Sequence, residues 1–395
     1  MRQWPWSTWS KPFIYVVLCA LFLQFGLGMQ RTLFNNFAAE EFGAGAQQIG
    51  WLESVREIPG LLTFLIVGLT VLLARNLMLA VSVCLVGAGL MMYAGAGQMG
   101  GLVIATLVYS TGFHVFFPLQ SAQVLGMTDP GHKAKRLGEL NSVAALSYLL
   151  AMGFVYLAAQ WLNFRQMFII AGAITLPGAL IMLALPRTVQ KQRPRGFVIR
   201  RAYSLYYALT FLASTRRQIV TSFAIFALVK VYGAPVRTIA ALLFVSNVLA
   251  VLTRSLCGQM VDRIGERNAM WITYASVIFI FLGYAFIPWP PVLYGLYILD
   301  NFLMGFDVSQ STYLDKIATR DDVPPTLALG STINHITGVT VPLISGYLWA
   351  SFGHWASFVF GAVVAGCSLY LVSLMRVPAT PYASAPAVVA GGGSV

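Results

Sequence analysis

Long apolar runs dominate the chain, separated by short polar clusters, and each run is close to or above the ~20 residues needed to cross a bilayer core as a helix. The first six are Phe13 to Phe37, Gln48 to Leu73, Leu77 to Ala96, Leu102 to Met127, Gly138 to Trp161 and Met167 to Leu185. A basic stretch intervenes. Six more follow: Tyr203 to Tyr232, Thr238 to Val261, Met270 to Ile287, Val292 to Ile317, Thr326 to Ser351 and Ala356 to Met375. The pattern predicts an all-α integral membrane protein with twelve transmembrane helices.

Shifting the sequence by 190 positions superposes its two halves. Gly43 then meets Gly233, Gly68 meets Gly258, Phe116 meets Phe306, Gln120-Ser121 meets Gln310-Ser311, Leu137 meets Leu327 and Phe168 meets Phe358. The expected division is an N-terminal six-helix bundle over 1–186, a basic cytoplasmic connector over 187–202, a pseudo-symmetric C-terminal bundle over 203–377 and a disordered Ala/Gly/Pro-rich tail over 378–395. Parallel repeats of this kind are the plan of secondary transporters whose site lies between the halves.

Composition agrees: 58% of the residues are hydrophobic and 10% are charged, which excludes an ordinary soluble domain. The net charge of +12 does not point to nucleic acid, because the basic residues sit in short loops on one side. Arg75, Lys133, Lys135, Arg136, the connector, Arg263, Arg267, Lys316, Arg320 and Arg376 share that side, whereas the opposite loops keep only Arg165 and Arg237. By the positive-inside rule both termini are cytoplasmic. Compact loops and short termini suggest a prokaryotic inner membrane. Trp4, Trp6, Trp9 and Lys11 read as an interfacial anchor before a retained first helix. The four cysteines lie in apolar runs without metal-binding spacing. With no phosphate loop, HExxH or nucleophile elbow, no enzyme activity and no cofactor are expected.

Between the eighth and ninth runs the sequence reads Gly258-Gln-Met-Val-Asp262-Arg263-Ile-Gly265-Glu-Arg267. This resembles the loop signature G-x-x-x-D-R-x-G-x-R of the major facilitator superfamily (MFS), whose twelve-helix plan is similar along almost the whole chain. The resemblance implies an MFS fold working by alternating access, with Gly258 permitting close helix packing and Asp262, Arg263 and Arg267 gating the cytoplasmic side. The first half departs from the signature, since Leu72 stands where the Asp is expected and only Gly68 and Arg75 remain nearby. The fourth-helix Arg-x-x-Gln-Gly pattern and a proline-rich fifth helix are also missing, which argues against an ordinary multidrug exporter.

The chemistry is expected in the polar residues within apolar runs, which are costly in lipid and turn toward partners or wet cavities. Arg216 and Arg217 interrupt the seventh run near its middle. They form either an anion site or a structural pair with buried carboxylates. Asp300 and Asp307, seven residues apart beside Asn301, are candidate partners and proton carriers; a permanent salt bridge is the other reading. Glu53, Arg56 and Glu57 share one face of the second helix, as a rim ion pair or as an inward-facing site. His335 beside Asn334 suits substrate contact or proton relay, and His114 suits proton relay or a hydrogen bond to a neighbouring helix. Arg31 sits in the cavity or at the rim, its 190-residue counterpart being Thr221.

The expected substrate-binding set is therefore Arg216, Arg217, Arg31, Arg56, Asn334, His335 and Asn301, and the proton-coupling set is Asp300, Asp307, Glu53, Glu57 and His114. These suit a monomeric secondary transporter in the lipid bilayer, moving a small anionic solute with protons or another coupling ion. Export of an amphipathic drug, siderophore or lipid is the alternative; a non-transporting receptor is a third reading.

Overall fold

The computed structural model describes residues 9–63, 73–186 and 199–378. Expectations for Gly68, Leu72, the N-terminal tryptophans Trp4 and Trp6, most of the connector and the tail past 378 fall outside these residues. Twelve rods are seen among them: α1 (Lys11–Glu41), α2 (Ala46–Leu61), α3 (Arg75–Gly95), α4 (Met99–Gly126), α5 (Lys133–Ala158) and α6 (Phe164–Leu183) in the first half. The second half holds α7 (Ser204–Ile219, Val220–Ala224 and Ile225–Lys230), α8 (Val236–Ile264), α9 (Glu266–Phe286), α10 (Pro290–Leu303, Met304–Asp307 and Val308–Ile317), α11 (Val323–Phe352) and α12 (His354–Ser373). Nine are unbroken helices long and apolar enough to span a membrane. The other three are α2, α7 and α10, the rods richest in mid-helix charge.

The repeat is visible in three dimensions. Helices begin at 46 and 236, at 133 and 323, and at 164 and 354, each pair 190 apart. Gly43 and Gly233 both adopt positive φ, 63° and 64°, in equivalent turns. Arg31 Nη2 donates to the carbonyl of Thr221 at 3.2 Å. Residues related by a two-fold operation can touch only near its axis, so this contact places Arg31 close to the pseudo-symmetry axis between the halves.

Two helices depart from the sequence expectation of unbroken runs. The rod α7 widens into a π turn at Val220–Ala224, immediately after Arg216-Arg217. A π turn shifts the backbone hydrogen-bond register, and here the Thr221 carbonyl serves Arg31 across the interface. The rod α10 tightens to a 3₁₀ turn at Met304–Asp307.

The halves meet through α1 with α7, α2 with α11 and α5 with α8. Lys230 Nζ reaches the Gly43 carbonyl at 3.4 Å, Asn36 Nδ2 the Ala234 carbonyl at 3.0 Å and His335 Nδ1 the Glu57 carboxylate at 3.0 Å. A Cβ on Gly50 would collide with the Pro342 carbonyl oxygen. Each of these contacts lies at mid-depth or toward the end that carries the α1–α2, α7–α8 and α11–α12 turns. That end is sealed. Large apolar side chains such as Phe279, Leu180 and Tyr370 stand exposed on the outer faces of their helices, as a lipid-facing surface requires.

Candidate functional site: two ion-pair clusters between the bundles

The first cluster lies within the second half. Arg216 is fully buried, its Nη1 3.0 Å from Asp300 Oδ1 and its Nη2 3.5 Å from Asp307 Oδ1. The neighbouring Arg217 reaches Asp307 Oδ2 at 3.1 Å, but its side chain is 42% exposed. Adjacent residues on a helix point about 100° apart, so one arginine faces the helix packing and the other the open space. Two arginines and two carboxylates leave the cluster formally neutral. Arg216 Nε and Asp300 Oδ2 are buried without a hydrogen-bond partner among the described residues. The pair is a charge lattice with unused hydrogen-bonding capacity, not a saturated bridge.

Arg217 and Asp307 line a cavity of about 210 Å³ with Tyr206, Thr210, Gln310 and Asn334. Its wall is mostly polar, with Gln310 Nε2 donating to Thr210 Oγ1 at 2.6 Å. The sequence places Asn334 among the site residues, and Asn334 lines this cavity. Tyr206, Thr210 and Gln310 were not foreseen, although Gln310-Ser311 stands out as a polar pair matched across the repeat. The structure does not bring Arg216 or Asn301 to the cavity surface. Arg216 is enclosed by carboxylates, and Asn301 spends its amide on the Tyr297 carbonyl one turn back at 2.9 Å.

The second cluster joins the halves. Arg56 Nη2 lies 2.9 Å from Glu53 Oε2 and 3.1 Å from Glu57 Oε1. Glu57 Oε2 faces His335 Nδ1 at 3.0 Å and His114 Nε2 at 3.7 Å. The rim reading of this motif is corrected here: Glu53 and Glu57 are only 3% and 9% exposed. They are buried because α2 packs against both α11, which covers Glu57, and α4. Arg31 is likewise in the interior and not at the rim, with Tyr148 and Tyr297 in its electrostatic surroundings.

The signature loop between α8 and α9 differs from what the resemblance implies. Among the described residues no atom lies within 4 Å of a Cβ built on Gly258, so none of them packs closely on that glycine. Asp262 and Arg263 are exposed and make no ion pair or hydrogen bond among the described residues. Arg267 donates to the Ser373 carbonyl at 2.7 Å, and the ion pair beside the loop is Glu266 with Lys316 at 2.7 Å.

Comparisons with known proteins agree with this architecture. The Major Facilitator Superfamily profile matches residues 16–318. The chain belongs to that superfamily of membrane transporters. A "Multi-drug resistance efflux pump PmrA homolog" from Lactococcus lactis subsp. lactis (strain IL1403) is 22% identical over 280 residues, 66% of this chain and 66% of that protein. The chain thus spans about two thirds of the length of that relative. A mutant of the nucleoside transporter NupG superposes with a TM-score of 0.76 at 16% identity, covering 92% of this chain and 98% of the other. A bacterial homologue of the human lysosomal transporter Spinster, inward-facing and unoccupied, gives 0.72 at 15% identity over 93% and 97%. Peptide transporter POT gives 0.73 at 14% identity over 92% and 93%. At these identities the structural likeness concerns the fold alone.

Proposed function

We propose that this transporter moves a small anionic solute by alternating access and couples it to protons. The observation that carries the reading is Arg217, a guanidinium at mid-membrane that is part exposed to a polar cavity and held by a single carboxylate, Asp307. Arginine offers a carboxylate, phosphate ester or oxyanion two parallel charge-assisted hydrogen bonds. Because the cluster is neutral, an anion gains Arg217 fully only when Asp307 gives it up, and protonation of Asp307 is the simplest release. Anion and proton then enter together, with Arg216, itself anchored by Asp300, holding Asp307 in place. Glu53, Arg56, Glu57 and His114 form a second titratable group away from this cavity.

With the basic loops cytoplasmic, both termini lie inside and the sealed end faces out, so this conformation is inward-open. We take the chain to act as a monomer in a prokaryotic inner membrane, its bundles being 1–186 and 203–377. Likeness to the Lactococcus protein favours a second reading, export of an amphipathic drug.

Thermal stability of the purified protein across carboxylates, phosphate esters, oxyanions and lipophilic cations separates the two. A ligand at one hundred times its Kd adds about 2.7 kcal/mol to the folded state. An anion is expected to stabilise the parent and to lose that effect in Arg217→Gln. Stabilisation by lipophilic cations alone, equal in parent and variant, would overturn the anion reading.

A further inference from the structure

The geometry points to a binding site for one divalent first-row transition-metal ion at Glu57, His114 and His335, bridging the two halves of the molecule. The three side chains come from α2, α4 and α11, and their ligand atoms all lie within 4.8 Å of one another. This site is separate from the Arg217 cavity and does not rest on the anion reading. Among the described residues it is the one place where histidines from both halves converge on a carboxylate.

Hydrogen bonding around His114 carries the argument. Ser110 Oγ donates its proton to the Arg56 carbonyl, so toward His114 it can only accept. The Nδ1 of His114 lies 2.9 Å from that hydroxyl and 3.0 Å from the Ser110 carbonyl, two acceptors that require Nδ1 to carry a proton. The Nε2 of a neutral imidazole is then a lone pair, aimed at Glu57 Oε2 3.7 Å away. Nε2 and Glu57 Oε2 thus face each other across a buried gap that a cation can fill, and a metal ion there competes with a proton on Nε2. A metal-ligating histidine has this arrangement, with its other nitrogen donating to an oxygen that fixes ring and tautomer.

The carboxylate is prepared in the same way. Arg56 holds Glu57 by Oε1, leaving Oε2 to the histidines. Arg56 is also paired with Glu53, so two carboxylates against one guanidinium leave the site one negative charge in excess to receive a cation. Two imidazoles and one carboxylate suit zinc, cobalt, nickel or iron rather than calcium or magnesium. Metal–nitrogen and metal–oxygen bonds of about 2.0–2.2 Å bring such ligands roughly 3.3 Å apart, and the present spacing needs only small rotations to reach that. Gly60 leaves the room, because a Cβ there would meet His335 Nδ1 at 2.5 Å and His114 Cδ2 at 2.7 Å. A bound ion would fasten α2 and α4 to α11, holding the halves together in the conformation seen here.

The test is a Zn²⁺ titration of the full chain, purified without a histidine tag, with Co²⁺ absorption as a second readout of tetrahedral nitrogen and oxygen ligation. One equivalent is expected to bind the parent. Replacing a ligand, in His335→Gln or Glu57→Gln, should weaken binding by more than the 10- to 100-fold typical of outer partners, and Ser110→Ala should fall within that range while keeping the Co²⁺ spectrum. The chain has four histidines, so a His132→Gln/His354→Gln variant measures the background and should bind like the parent. Arg217→Gln should also bind like the parent, which separates this site from the anion cavity. Absence of stoichiometric binding by the parent, or binding unchanged in both ligand variants, would overturn the proposal.

Discussion

Replacing Arg216 by methionine is expected to lower the folded-state stability by ~3–5 kcal/mol, because it leaves Asp300 charged and unpaired in the interior. Asp300 is 1% exposed, and its Oδ1 rests on Arg216 Nη1 at 3.0 Å. Arg217, bonded to Asp307, is not positioned to replace the lost guanidinium. Removing both members of the buried pair, in Arg216→Met with Asp300→Leu, should recover most of that loss, since a charge pair traded for packed apolar groups is often neutral. Transport should not recover with it, because Asp307 loses Arg216, which holds it beside Arg217. Thermal unfolding in detergent and uptake into proteoliposomes measure the two effects separately. If the single variant proves no less stable than the double, the pair is hydrated and the burial argument fails.

Gly50→Leu is expected to nearly abolish transport by preventing the sealed end from closing. The Gly50 Cα face lies against the Pro342 carbonyl and the Gly346 Cα of α11, leaving no space for a side chain. Overpacking of this kind costs about 1–3 kcal/mol, and the two states of a transporter differ by only a few kcal/mol. A shift of about 1.4 kcal/mol changes their ratio about tenfold, so the population should move toward forms with this end open. Spin labels at Glu41→Cys and Tyr232→Cys, in a background cleared of native cysteines, would report a longer distance across that end. Gly366→Leu on α12, where an added Cβ would meet no atom of the described residues within 4 Å, serves as the control and should leave distance and transport unchanged. An unaltered distance in Gly50→Leu would show that α2 and α11 are not the closing surfaces.

These expectations depend on contacts the chain makes with itself over long separations, and their legibility in the sequence was uneven. Arg216, Arg217, Asp300 and Asp307 were identifiable one by one because a charge within an apolar run is rare and has few physical outcomes. Their pairing was anticipated as one of two readings. The division of labour was not: Arg216 is enclosed, whereas Arg217 reaches the cavity. For Glu53 and Glu57, counting residues from the helix end left rim and interior equally open, and the packing of α2 against α11 and α4 decided for the interior.

By itself the sequence determined the class of fold, the twelve rods, the repeat and the shortlist of polar residues. Hydropathy and charge act locally along the chain: a bilayer imposes a minimum apolar length, and two halves of common design keep one register. Tertiary structure decided which end is sealed, where α7 and α10 change their winding, and that α2, α4 and α11 bring Glu57, His114 and His335 to one point. Those outcomes depend on the rotation of each helix about its axis and its depth beside its neighbours. In a segment apolar on every side, neither is written in periodicity, because lipid and protein surfaces select nearly the same residues.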